Sequence, residues 1–372
     1  MSRLLLPCLL GLCLAASGPR ASACSVPVFR YALERWPADN FLVLVYHEGT
    51  LRPEQAAVVR ELDREGLAGG RAANLVLRTV DLAAAPDPTL LRWWQPLAAA
   101  TPLPALVLLH PPAQRVPAPA WHAPLSADSV RQLLDSPARR ELAGRLLRGE
   151  SAVWVLLESG DPSQDEPAAR NLAARLRHLE STLKLPELNP ADVIAGAATQ
   201  QKLKVAFSIL RLSRRDPAEA VLVRLLLNTE EDLAGGREPI VFPVFGQGRV
   251  LYALVGRGIN DAMIDEAGGF LTGACSCIVK EENPGSDLLL AVDWASLVDP
   301  LVRTDEALPP LPGLAEFAAA KSAGGAPPQP GAPAPAQNQH VTNPLIPGIL
   351  LVVSGGGGLL LGATWWLLRR RG

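Results

Sequence analysis

Two stretches decide the fold: Phe41-Leu42-Val43-Leu44-Val45-Tyr46 and Ala152-Val153-Trp154-Val155-Leu156-Leu157. Each is a nearly unbroken apolar run of strand length, the pattern of a strand covered on both faces. Each follows a short helical segment opened by a proline, Pro27 or Pro137, a residue tolerated in a helix's first turn. Overlaying the chain on itself with a shift of 110 pairs Pro27 with Pro137, Arg30 with Arg140, Arg35 with Arg145, Val43 with Val153, Val45 with Val155 and Glu48 with Glu158. The elements that follow support a repeat. The first half reads as helix 53–65, strand 75–80, helix 88–99, Leu103-Pro104, strand 105–109, a proline-rich turn, a weak strand near Trp121 and helix 127–147. The second reads as helix 166–185, strand 205–212, helix 218–227, Glu238-Pro239, strand 240–245, a Gly246-Gln247-Gly248 turn, strand 250–255 and helix 261–271. This alternation predicts an α/β fold with mixed sheets flanked by helices.

Composition narrows the class. The chain has 372 residues, 48% of them hydrophobic, enough for two cores, so its body is not intrinsically disordered. Its 35 Lys+Arg and 37 Asp+Glu nearly cancel, and the cations are scattered, which excludes a basic nucleic-acid footprint.

Both ends are hydrophobic. Residues 1–23 read as a signal peptide: Arg3, the apolar run Leu4 to Ala16, then Ala21-Ser22-Ala23 as a small-x-small cleavage site. Residues 344–368 read as a transmembrane helix. Leu345 to Leu368 carries no charge, and as a helix it would cover roughly 36 Å, enough for a hydrocarbon core of about 30 Å. Trp365 and Trp366 precede Arg369-Arg370-Arg371, so the positive-inside rule leaves residues 369–372 as a cytoplasmic basic tail. Residues 304–343 form a Pro/Ala/Gly-rich linker. Two globular domains, 24–148 and 149–303, remain. The expected location is the bacterial cytoplasmic membrane, single-pass, with the globular part facing the periplasm or exterior. The Ser354-Gly355-Gly356-Gly357-Gly358 run also resembles the GlyGly-type sorting signals of exported bacterial proteins.

The element order resembles the thioredoxin fold, present twice, with Pro104 and Pro239 directly before the penultimate strand, where that fold carries a cis-proline. The opening Cys24-Ser25-Val26-Pro27-Val28-Phe29-Arg30, continuing to Trp36, with Cys275-Ser276-Cys277 and Asn283-Pro284-Gly285, is similar to a group of exported, membrane-anchored bacterial proteins. That likeness brings no activity with it. Thioredoxin chemistry needs a Cys-x-x-Cys at the head of the helix after the first central strand. Here Tyr46-His47-Glu48-Gly49-Thr50 and Ser159-Gly160-Asp161-Pro162-Ser163 occupy those places, so the resemblance implies two redox-silent modules. In that fold the loop before the cis-proline exposes backbone groups that pair with an extended peptide. Leu103, Pro104, Glu238, Pro239 and Ile240 are therefore the candidate peptide-binding edge. The expected partner is another exported or membrane protein, besides the membrane itself.

After signal removal Cys24, Cys275 and Cys277 remain, an odd number for an oxidising compartment. Cys275 and Cys277 are candidate redox or metal thiols, with Cu(I) the fitting soft ion. The alternative is that one of them forms a structural disulfide with Cys24. Cys24 is also a candidate for lipidation, although Ala21 poorly replaces the leucine such signals prefer. No cofactor is predicted, nor any catalytic residue: the histidines lack metal-ligand spacing, and Ser181-Thr182-Leu183-Lys184 stands without companion motifs. Trp93-Trp94 is read as core packing, and Glu281, Glu282, Asp287 and Asp293 as a solvated acidic loop or a weak cation site.

Overall fold

The computed structural model describes residues 25–66, 73–189, 203–275 and 279–298. The signal, linker, apolar span and tail assigned to 1–23 and 304–372 lie outside these, as do Cys24 and Cys277. Among the described residues no helix is long and apolar enough to cross a membrane.

The two apolar runs are central strands of two sheets. In the first sheet β1 (Phe41–His47) lies between β2 (Leu75–Asp81), parallel to it, and β3 (Ala105–Leu109), antiparallel; β4 (Trp121–Pro124) closes the order β2-β1-β3-β4. In the second, β5 (Ala152–Glu158) lies between the parallel β6 (Phe207–Ser213) and the antiparallel β7 (Ile240–Phe245). The short β8 (Arg249–Val250) and β9 (Leu254–Val255) both pair with β7, and β10 (Ser286–Asp287) adds to β8. The class is α/β, with two mixed sheets flanked by helices.

Pairing corrects the register of the repeat. Leu42 lies opposite Val76 and Leu109, and Val153 opposite Ser208 and Val244. The structural shift is therefore 111, one more than residue identity suggested. With a side-chain period of two, that single residue exchanges the faces. Phe41, Val43 and Val45 thus correspond to Ala152, Trp154 and Leu156, not to Val153 and Val155.

Helices sort onto faces accordingly. The side of the first sheet bearing Val43 is covered by α2 (Pro53–Glu65) and α4 (Ala127–Leu134); its other side by α3 (Pro88–Trp94). On the second sheet the corresponding faces carry α6 (Pro162–Thr182) with α8 (Asp261–Thr272), and α5 (Pro137–Leu147) with α7 (Ala220–Leu227). The two sheets stack with α2, α4, α5 and α7 between them, and one apolar cluster includes Val43, Leu62, Leu133, Leu142, Val153 and Phe242.

The two ends of the described region cross over. Helix α1 (Val28–Arg35) precedes β1 yet packs on the second sheet, its Val28, Phe29 and Ala32 joining Trp154, Leu176 and Ile264. Gly246, at φ +58°, makes this possible, because a Cβ there would stand 2.7 Å from the Ala32 methyl. Conversely, the end of the described chain returns to the first sheet. Ala291 bridges Ala73, and the Asn74 side chain reaches Leu288 O (3.1 Å) and receives Leu290 N (2.9 Å).

Several expected boundaries shift. The helix read over 127–147 is two helices, broken where Ser136 caps α5 and Pro137 takes its first position. The helix read over 88–99 ends at Trp94. The helix read from 166 begins at Pro162, capped by Asp161. Strand 250–255 is replaced by β8 and β9.

Candidate functional site

Four places carry chemistry suggested by the sequence: the heads of the two central strands, the two X-Pro bends, the cysteine segment and the acidic loop. At the head of β1, Gly49 N donates to Asp81 Oδ1 (2.9 Å), as does Ala83 N (3.0 Å), and these bonds hold the Asp81 carboxyl below its usual range. His47 Nδ1 lies 2.8 Å from Gly49 O. At the head of β5 the buried Asp165 accepts from Ser159 N (2.8 Å), Ser159 Oγ (2.8 Å) and Gly160 N (3.0 Å). Both loops are thus closed on a carboxylate. Tyr46 lies beneath the first, its hydroxyl donating to Leu90 O (2.6 Å) and its phenol pushed up to about 12 by burial.

The two bends differ. Leu103–Pro104 is cis, whereas Glu238–Pro239 is not among the cis bonds of the described residues. Pro104 O accepts from Leu125 N (2.7 Å). Leu103 is half-buried, and among the described residues neither its N–H nor its C=O has a hydrogen-bond partner. At the second bend Glu238 O accepts from Arg214 Nη2 (2.7 Å) and Pro239 O from Gly256 N (2.9 Å). Ile240 is fully buried between Leu157 and Val255. A small depression of about 330 Å³, lined by Glu238, Pro239, Gln164, Asn171 and Arg257 among others, remains there. Of the five edge residues, Leu103 alone joins partial exposure to an open backbone donor and acceptor.

Cys275 has no exposed surface. Its N–H donates to Val26 O (3.0 Å), Pro27 bridges Ala274, and Val28 N donates to Gly273 O (3.0 Å). The thiol belongs to the cluster around Trp154 and Leu271, and this burial keeps reagents away. Among the described residues no group of three or more His, Cys, Asp or Glu is placed to hold a metal.

The acidic loop is the clearest departure from expectation. Asp287 is buried, paired with Lys280 and with Arg249 (3.1 Å), while Lys280 Nζ also meets Asp39 Oδ1 (2.7 Å) and Pro37 O (2.7 Å). This carboxylate is consumed by an internal ion network and is no part of a surface cation site. Asp293 caps the short α9 (Trp294–Leu297) by accepting from Ser296 N (3.0 Å). No sequence signal linked positions 39, 249, 280 and 287, since partners this far apart meet only through topology.

The tryptophan pair divides. Trp94 is buried and stacks on Tyr46 (5.1 Å between centroids), as expected of core. Trp93 is half-buried, lies under Arg92 (4.6 Å), and lines a groove of about 890 Å³ that also includes Leu42, Leu97, Leu109 and Arg115. On its wall His110 places Nδ1 2.9 Å from Gln114 Oε1 and Nε2 3.2 Å from Asn228 Nδ2. Burial lowers its pKa, so the neutral ring carries its proton on Nδ1 and accepts from Asn228. Sequence reasoning missed this groove; the unusual density of proline over 111–119 was its only trace. Comparison with family models, curated proteins and solved structures finds no match to the chain.

Proposed function

We propose that the protein is an exported, membrane-anchored binding or scaffold protein built on two thioredoxin-like modules without the catalytic thiols, and that it holds an extended peptide of a partner protein at Leu103. The strand orders β2-β1-β3-β4 and β6-β5-β7-β8, each with one parallel and two antiparallel pairings, support the thioredoxin-like reading. The binding role rests on one observation: the unpartnered backbone N–H and C=O of Leu103, half-exposed at the start of a central strand. An extended segment satisfies such a pair by adding two main-chain hydrogen bonds. The closed loops at Asp81 and Asp165, and the burial of Cys275, speak for binding rather than thiol exchange at these positions.

A photo-reactive residue at position 103 tests this, with one at the exposed Leu297 as control. The expected result is a discrete adduct to an exported or membrane protein at 103 and none at 297, with slowed amide exchange at Leu103 in the purified complex. Equal adducts at both positions, or unchanged exchange at Leu103, would remove the proposal.

A further inference from the structure

The 111-residue register assigns each face of the first sheet a counterpart on the second. The row Val76–Leu42–Leu109 corresponds to Ser208–Val153–Val244. On the second sheet that row is sealed: Val153 and Val244 have no exposed surface, and α5 lies over it, its Arg145 Nη1 bonding Ser208 Oγ (3.0 Å) and Ile209 O (2.9 Å). On the first sheet the same row is only partly covered: Leu109 is buried beside Leu90 and Trp94, while Leu42 is half-buried. Val76 is 42% exposed, and Leu42 and Leu109 form part of the 890 Å³ groove. The helix preceding β1, which by the repeat corresponds to α5, is α1, and it is committed to the second sheet. Among the described residues a helix-sized place therefore stands open in the first half.

Its charge specifies the occupant. Arg92 and Arg115 line the groove, no carboxylate does, and neither arginine forms an ion pair among the described residues. The floor is aliphatic with Trp93 at one side, a surface that takes the apolar stripe of a helix. We infer that this groove docks an amphipathic helix of a partner protein, about three turns long like α5, with its apolar stripe on Leu42, Leu109 and Trp93 and glutamate or aspartate flanks against Arg92 and Arg115. The groove lies at the opposite end of β3 from Leu103, so the two sites fail or stand separately.

The probe is a synthetic helical peptide with leucines at i, i+3, i+4 and i+7 and glutamates elsewhere, titrated calorimetrically into the whole protein. The expected dissociation constant is on the order of 10 μM, with a gain of helical circular dichroism. Arg92→Glu with Arg115→Glu, both exposed positions, should weaken it at least about tenfold and admit the lysine version of the peptide instead. Equal binding of a scrambled peptide, no binding of the acidic peptide at millimolar concentration, or an unchanged affinity in the double variant would overturn the inference. Self-association that Leu42→Glu abolishes would also overturn it, by giving the groove to a second copy of the chain.

Discussion

The two sheets share a strand plan but not a covering. The second is enclosed on both sides, by α1, α6 and α8 on one and α5 with α7 on the other, and its central strand is buried from Ala152 to Leu157. The first is enclosed on the side facing the second sheet, while among the described residues its outer side carries α3 as its one helix and keeps an open groove. One helix accounts for the imbalance: α1 leaves the half in which it is encoded. Duplicated architecture thus gives one stabilising half and one half with surface left for contact.

Three measurements sharpen that contrast. Removing bulk from the sealed sheet should have the largest effect: Trp154→Ala is expected to cost about 3–5 kcal/mol, whereas Leu42→Ala, on the half-open face, should cost roughly 1 kcal/mol. Urea unfolding of both variants checks this, and equal losses would mean that the groove is occupied in the isolated protein. Next, Asp287→Ala strands Lys280 and Arg249 without their counter-charge and is expected to cost about 3 kcal/mol. A double-mutant cycle with Lys280→Met should recover much of the loss; simple additivity would show that the network does not couple the chain's end to its core. The smallest effect is chemical. Cys275 should resist alkylation until the protein unfolds. Reaction of native Cys275 at the rate of the unfolded chain would contradict that burial.

The strands were legible because burial on both faces writes itself as unbroken apolar runs, as at Val153 to Leu157. Helix starts were legible where a proline follows a capping residue, as at Asp87-Pro88. The register of the repeat was not. Val43 and Val45 share one face of β1, while Val153 and Val155 lie on the non-equivalent face of β5, so matching valine to valine aligns the strands in the wrong phase, and only cross-strand partners decide. The destination of α1 was equally hidden: its periodicity tells that a stripe is buried, not on which sheet. The open backbone at Leu103 could be anticipated by analogy, while the groove and the Asp287 network depend on which segments topology brings together.

The exchange of ends sets an order of assembly. Helix α1 is synthesised before any strand, yet the surfaces that accept it, from β5 through α8, follow only after the whole first sheet. The apolar stripe of α1 therefore stays uncovered until residue 275 or so has emerged, and a fragment stopped near residue 148 lacks the sheet that covers it. Synthesis through α8 thus acts as a checkpoint: only a chain extending past Thr272 can cover the apolar stripe of α1.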